Sequence, residues 1–114
     1  MAFEKFVGRA SLYIGKNGQM RLSKQAFQLL GLHHDARPRV CLYFDRISRQ
    51  IGIARAETTD RDAAVVWVSK NIPGGVLYAR HFYRYYGIAF DKNRRCRLAK
   101  QGEMLVSESL GDEE

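Results

Sequence analysis

Four glycines fall into two pairs at one interval, and each pair marks the same kind of event. Sliding the 114-residue sequence by 56 positions superposes Gly18 on Gly74 and Gly31 on Gly87, together with Asp35 on Asp91, Arg39 on Arg95 and Leu42 on Leu98. Lys24 with Arg80, Phe27 with Tyr83 and Leu32 with Ile88 are similar rather than identical pairs. Turn glycines and helix-ending glycines that keep one register point to a single supersecondary unit used twice, as happens when one copy cannot bury its apolar face alone.

The local pattern says what the unit is. Residues 10–16 read as a short strand, and Asn17-Gly18 is the dipeptide that a two-residue type I′ hairpin turn prefers. Gln19-Met20-Arg21-Leu22 alternates as a half-buried strand does. Ser23 is a good N-cap, residues 23–30 make about two helical turns, and Gly31 stops them, with Phe27 and Leu30 on one face. A second hairpin joins Val40–Phe44 to Gln50–Ala54 through the turn Asp45–Arg49. After polar residues the order repeats: a strand at Ala64–Val68 with Trp67 expected in the core, a turn at Pro73-Gly74-Gly75, and a strand at Val76–Tyr78. A short helix at Arg80–Tyr86 is stopped by Gly87, and a closing hairpin around Gly102 joins Arg95–Leu98 to Glu103–Val106. The expectation is one mostly β domain over residues 1–114 with two short helices. It consists of two ββαββ hairpin units in tandem at about 10–55 and 64–110, a polar linker at 56–63 and an acidic tail at 111–114.

Charge narrows the function. The net charge is +7, and residues 1–55 carry all of it: ten Lys/Arg stand there against Glu4, Asp35 and Asp45, whereas the remainder balances. A basic body favours a polyanionic partner, the plain alternative being charge that only keeps the protein soluble. No apolar run approaches the roughly 20 residues of a membrane helix, and residues 1–6 lack a signal-peptide pattern, so a cytoplasmic protein is expected. Cys41 and Cys96 are expected as thiols, and His33, His34 and His81 have no paired spacing with them that would suit a metal. His33 and His34, just after a helix end, are expected to cap carbonyls or face solvent. There is no Ser/His/Asp arrangement, no phosphate loop and no carboxylate pair in an apolar pattern, so neither catalysis nor a cofactor is expected.

The segment Lys16-Asn17-Gly18-Gln19-Met20-Arg21-Leu22-Ser23-Lys24, continuing through Leu30-Gly31-Leu32, resembles the SpoVT/AbrB/MazE family of swapped-hairpin DNA-binding proteins. Gly18-Gln19, Leu22, Lys24 and Leu30-Gly31-Leu32 match the family pattern without insertion. Ser23 stands where the family usually has proline, Phe27 where it often has arginine, and residues 33–38 replace its Gly-Asp. The resemblance implies that two hairpin units interlock into one barrel, here as a pseudo-dimer within one chain. It also implies a DNA-binding transcriptional regulator that contacts duplex DNA through Lys16, Arg21 and Lys24, with Arg9 nearby. Arg80 and Lys70 are the comparable positions of the second unit, and the difference in charge between the units implies either an asymmetric site or a further homodimer.

Two rivals belong to other classes. One is a protein-interaction module, an inhibitor or accessory factor of a mobile element, that keeps the fold without DNA binding. The other is a single-stranded nucleic-acid binder using the aromatic run Tyr78, Phe82, Tyr83, Tyr85 and Tyr86 beside Arg80 and Arg84, although core packing plus a partner surface is the commoner use of such a run. Arg46, Arg49, Arg94, Arg95 and Arg97 are expected as solvated faces, with the 94–97 cluster able to extend a basic surface.

Overall fold

Alternation places the core. In the computed structural model, which describes residues 9–32, 37–57, 59–69 and 72–111, Leu12 and Ile14 of β1 (Ser11–Ile14) and Met20 and Leu22 of β2 (Gln19–Leu22) are fully buried, while Arg21 is exposed and Tyr13 half-buried on the opposite side. Gly18 N–H donates to the Gly15 carbonyl (2.9 Å) and Gly15 N–H to that of Gln19 (2.8 Å). Gly18 alone takes positive φ (86°) there, so the connection is a three-residue loop, Lys16–Gly18, rather than the type I′ turn expected from Asn17-Gly18.

Ser23 caps α1 (Lys24–Leu29): its hydroxyl accepts from Ala26 N–H (3.2 Å) and from Ser11 N–H (3.0 Å), so one side chain ties the helix start to β1. Gly31 (φ 69°) ends the helix, donating to the Gln28 carbonyl while Leu32 N–H donates to that of Phe27. The second helix, α2 (Arg80–Tyr85), ends identically: Gly87 (φ 64°) donates to Arg84 and Ile88 to Tyr83. Phe27 and Tyr83, at corresponding points of the two helices, are both buried. The Tyr83 hydroxyl donates to the Gln19 carbonyl (2.8 Å), and burial raises its pKa well above that of an ordinary phenol.

The remaining strands are β3 (Arg39–Asp45), β4 (Gln50–Arg55), β5 (Ala64–Val65), β6 (Trp67–Ser69), β7 (Ile72–Tyr78), β8 (Arg94–Gln101) and β9 (Met104–Ser107). They form one antiparallel sheet in the order β5-β3-β4-β9-β8-β1-β2-β7-β6. Its two edge strands are separated in the chain by Val66 alone, whose N–H donates to the Pro38 carbonyl (2.9 Å), and the sheet thereby curls into a nearly closed barrel. The β3–β4 turn is held by Asp45, whose carboxylate accepts from Ser48 and Ile47 N–H; these bonds lower its pKa. In the polar stretch after β4, Glu57 N–H donates to the Asp60 carboxylate and the Arg39 guanidinium to the Asp60 carbonyl. Cys41 is half-buried and Cys96 buried, and both are free thiols whose pKa is raised by burial. No helix among the described residues is long and apolar enough to cross a membrane.

Two further expectations are corrected. Pro73-Gly74-Gly75 is not a turn but part of β7, because β6 and β7 already pair at Ser69↔Ile72. The glycines serve close approach instead. Gly74 has φ 82°, and a Cβ there would strike the Leu22 carbonyl oxygen and lie 2.9 Å from the Ser23 carbonyl carbon; a Cβ on Gly75 would run into Val66 and the Phe27 ring. Trp67 is not in the core but 63% exposed: Val66 takes the inward position, and a register irregularity between Trp67 and Ser69 leaves the indole outside. His33 and His34 lie outside the described residues.

Gly74→Ala combines backbone strain with a collision against backbone, so it is expected to cost about 3 kcal/mol or more. Gly102→Ala carries the same kind of strain (φ 64°) but meets nothing within 4 Å, and should cost only about 1 kcal/mol. Urea denaturation of the two variants checks the difference; equal costs would mean that β7 does not press on β2 as described.

Candidate nucleic-acid interface

Register assembles a site that no single strand contains. Arg95 of β8 lies opposite Tyr13 of β1, Tyr13 opposite Arg21 of β2, Arg21 opposite Val76 of β7, and Val76 opposite Trp67 of β6. Directly opposed residues of an antiparallel pair project from the same face, so Arg95, Tyr13, Arg21, Val76 and Trp67 form one transverse row on the outside of the barrel. Arg97, opposite Ser11, and Tyr78, opposite Gln19, stand on the same face one step to either side. Arg21, Arg95, Arg97, Trp67 and Tyr78 are all exposed. None of the five strands making this face, β8, β1, β2, β7 or β6, contains an aspartate or glutamate. The face is therefore cationic at the β8–β1–β2 end and aromatic at the β7–β6 end.

The loop after β1 closes one side of it. Lys16 is exposed there, and its backbone N–H donates to the Asn93 side chain (3.0 Å). The Arg80 stem passes over Gly18, where a Cβ would come within 2.8 Å of the Arg80 Cβ, and its guanidinium donates to the Asn17 carbonyl (3.0 Å). Ala79 N–H donates to the Gly18 carbonyl (2.7 Å), fixing the start of α2 against the same loop. A polar pocket of about 180 Å³ results, lined by Tyr13, Lys16, Asn17, Gln19, Arg21 and Asn93.

Of the residues singled out from sequence, Lys16 and Arg21 thus share one pocket, and Arg80 braces the loop that carries Lys16. Lys24 is exposed at the first position of α1, directly beyond β2. Arg9 is exposed just before β1 and lines a separate hollow of about 580 Å³ with Arg97 and Glu108. Arg84 is not part of the group: it borders a cavity of about 590 Å³ with Arg49 and Arg94. Lys70 lies outside the described residues. Phe27, where an arginine contact would stand in the family the sequence resembles, is 1% exposed and is core.

The aromatic run divides. Tyr83 is buried, Phe82 and Tyr86 pack with Phe44 (6.4 and 5.0 Å between ring centres), and Tyr78 and Tyr85 are exposed. The arginines divide too. Arg49, in a left-handed backbone conformation (φ 57°), donates to the carbonyls of Gly111, Tyr86 and Gly87 and lies over the Phe44 ring, so it is a structural residue rather than a solvated one. Arg94 donates to the Leu110 carbonyl, and Arg46 lies over the Tyr85 and Tyr86 rings. Arg95 and Arg97 remain for the outer face. Their signal was present in Arg95-Cys96-Arg97-Leu98, whose alternation sends Cys96 and Leu98 inward and both arginines outward; what strand they would stand beside was not.

Compared with known protein families, curated proteins and solved structures, the chain matches none. Among the described residues, no group of three or more His, Cys, Asp or Glu side chains is placed to hold a metal ion.

Arg49→Ala is expected to destabilise the fold by about 2 kcal/mol, because it strands carbonyls that a charged donor now satisfies. Arg21→Ala should change stability by no more than about 0.5 kcal/mol, as exposed substitutions do. Thermal unfolding of both variants separates the structural arginine from the one free to hold a ligand.

Proposed function

We propose that this protein binds nucleic acid, holding the phosphate backbone of DNA against the outer face of β8, β1 and β2, in the manner of a swapped-hairpin transcriptional regulator. The observation that carries it is the carboxylate-free row with Arg95 and Arg21 toward one end, Arg97 beside it, and Lys16 in the adjoining pocket. Each Lys or Arg that meets a phosphate releases condensed counterions, so a cluster of this kind is worth most at low salt. Tyr13, between the two arginines, keeps them apart, and no acid on these strands competes for them.

The order of elements supports tandem hairpin units as the frame of the site. In the β2–β7 pairing Met20 faces Leu77 and Arg21 faces Val76, while Gln19 faces Tyr78 and Leu22 faces Gly75. The counterparts in the repeat lie on opposite faces here, buried Met20 against outward Val76 and exposed Arg21 against buried Leu77, so β2 and β7 are out of phase by one residue. A pairing of β4 with β9 joins the halves again, and α1 and α2 begin at the same point of the repeat. The duplex-binding role follows from that frame and from the resemblance of residues 16–32. No catalytic step is proposed.

Fluorescence anisotropy of labelled duplex DNA over a range of salt concentrations tests the proposal. Affinity should fall linearly in log salt, and Arg21→Ala/Arg95→Ala should reduce the slope by about 2, roughly 0.9 for each phosphate contact removed. Failure of both duplex and single-stranded DNA to bind at low salt would overturn it and leave a protein partner as the function of the face.

A further inference from the structure

The aromatic end of the row has no use in holding phosphates. Trp67 is 63% exposed and Tyr78 70% exposed, although a cluster of partly buried aromatics, Phe44, Phe82, Tyr86 and Phe90, packs against the core of the same barrel. Trp67 stands opposite Val76, and Tyr78 follows Val76 by two residues on the same strand, so the two rings are diagonal neighbours on one face, about 7–8 Å apart at their backbones. Between them and Arg21 lies only Val76, which is small enough to leave both rings standing above the surface. A face that offers flat π-surfaces next to guanidinium groups suits unpaired bases, which stack on aromatics irrespective of sequence while their phosphates sit on cations. A duplex offers no such π-faces along its length, since its bases are already stacked. A protein partner could bury the same rings and arginines; quenching by oligothymidylate distinguishes the two.

Resting on the nucleic-acid reading above, we propose that Trp67 and Tyr78 are a stacking platform, and that the strand this site takes is single-stranded where it crosses β7 and β6. Its phosphates then run toward Arg21, Arg95 and Arg97, and its bases turn onto the indole and the phenol. Tyr13, half-buried between Arg21 and Arg95, extends the platform toward β8. Val66 beneath and Gly75 at the Phe27 ring hold β6 and β7 in place, so the platform is borne by strands rather than by a loop.

Trp67 is the sole tryptophan of the chain, which makes its emission a direct reporter. Unlabelled oligothymidylate should quench it at saturation, whereas a blunt duplex of equal length and inorganic polyphosphate should not. Tyr78→Ala should weaken oligothymidylate binding roughly tenfold, within the range found for one stacked base, with an unchanged salt slope and an unchanged affinity for blunt duplex. Trp67→Ala, followed by anisotropy, should do the same, and Trp67→Phe should restore most of the loss. Oligothymidylate that binds without quenching, or a Tyr78→Ala loss equal for single strand and duplex, would overturn the stacking platform while leaving phosphate binding intact. Absence of binding by every nucleic acid tested would instead remove the reading beneath it.

Discussion

The close approach of β7 to β2 at Gly74 and Gly75 is the contact on which the other features of the barrel depend. At Gly74 the backbone passes so near the Leu22 carbonyl and Ser23 that no side chain fits, and at Gly75 the space above the strand is filled by Phe27 and Val66. That approach joins the N-terminal half of the chain to the C-terminal half. It sets Arg21 opposite Val76 and brings Trp67 to the same face. Without it, β2 would be an open edge of the sheet, with unpaired backbone groups and the apolar side of β1 and β2 exposed to water.

Once the halves interleave, the charge distribution of the face follows from alternation. β8 enters beside β1 rather than beside a strand of its own half other than β9, so an Arg-Cys-Arg-Leu alternation from one half lies along a Leu-Tyr-Ile alternation from the other. The apolar members turn inward to a shared core that includes Leu12, Ile14 and Cys96, and the arginines are left outside next to Tyr13 and Arg21. The cationic patch is thus made by β8, with four Lys/Arg in eight residues, and Arg21 of β2, held on either side of uncharged β1.

What could be read from sequence was what is local. Ser23 as a cap, the stops at Gly31 and Gly87, and the hairpins around Asp45–Arg49 and Gly102 depend on residues within a few positions of one another, and the structure has each of them. Lys16 and Arg21 could be picked out because they flank one hairpin. Pro73-Gly74-Gly75 misled because glycine serves both turns and tight strand approaches, and only the partner strand distinguishes the two. Trp67 misled for a related reason: in Val65-Val66-Trp67-Val68 every residue is apolar, so the phase of the alternation is undetermined until β5 pairs with β3 at one end and β6 pairs with β7 at the other. Arg49 looked like surface charge because the carbonyls it serves lie 37 to 62 residues away.

The place where the two halves cease to correspond is also where the aromatic end of the face arises. Leu12 of β1 pairs with Cys96 of β8, and the repeat would therefore place Val40 of β3 opposite Val68; instead Val40 pairs with Ala64. The first half thus has one unbroken strand, β1, where the second has β5 and β6 on either side of Val66. Val66 enters the core as its counterpart Ala10 does, and Trp67 faces outward as its counterpart Ser11 does. A strict copy of the first half would have put the residue after Ala10, a serine, at this point. The exposed indole stands where the first half has a serine on the same face, so the two ends of the row differ in chemistry because the side chains of the two halves differ.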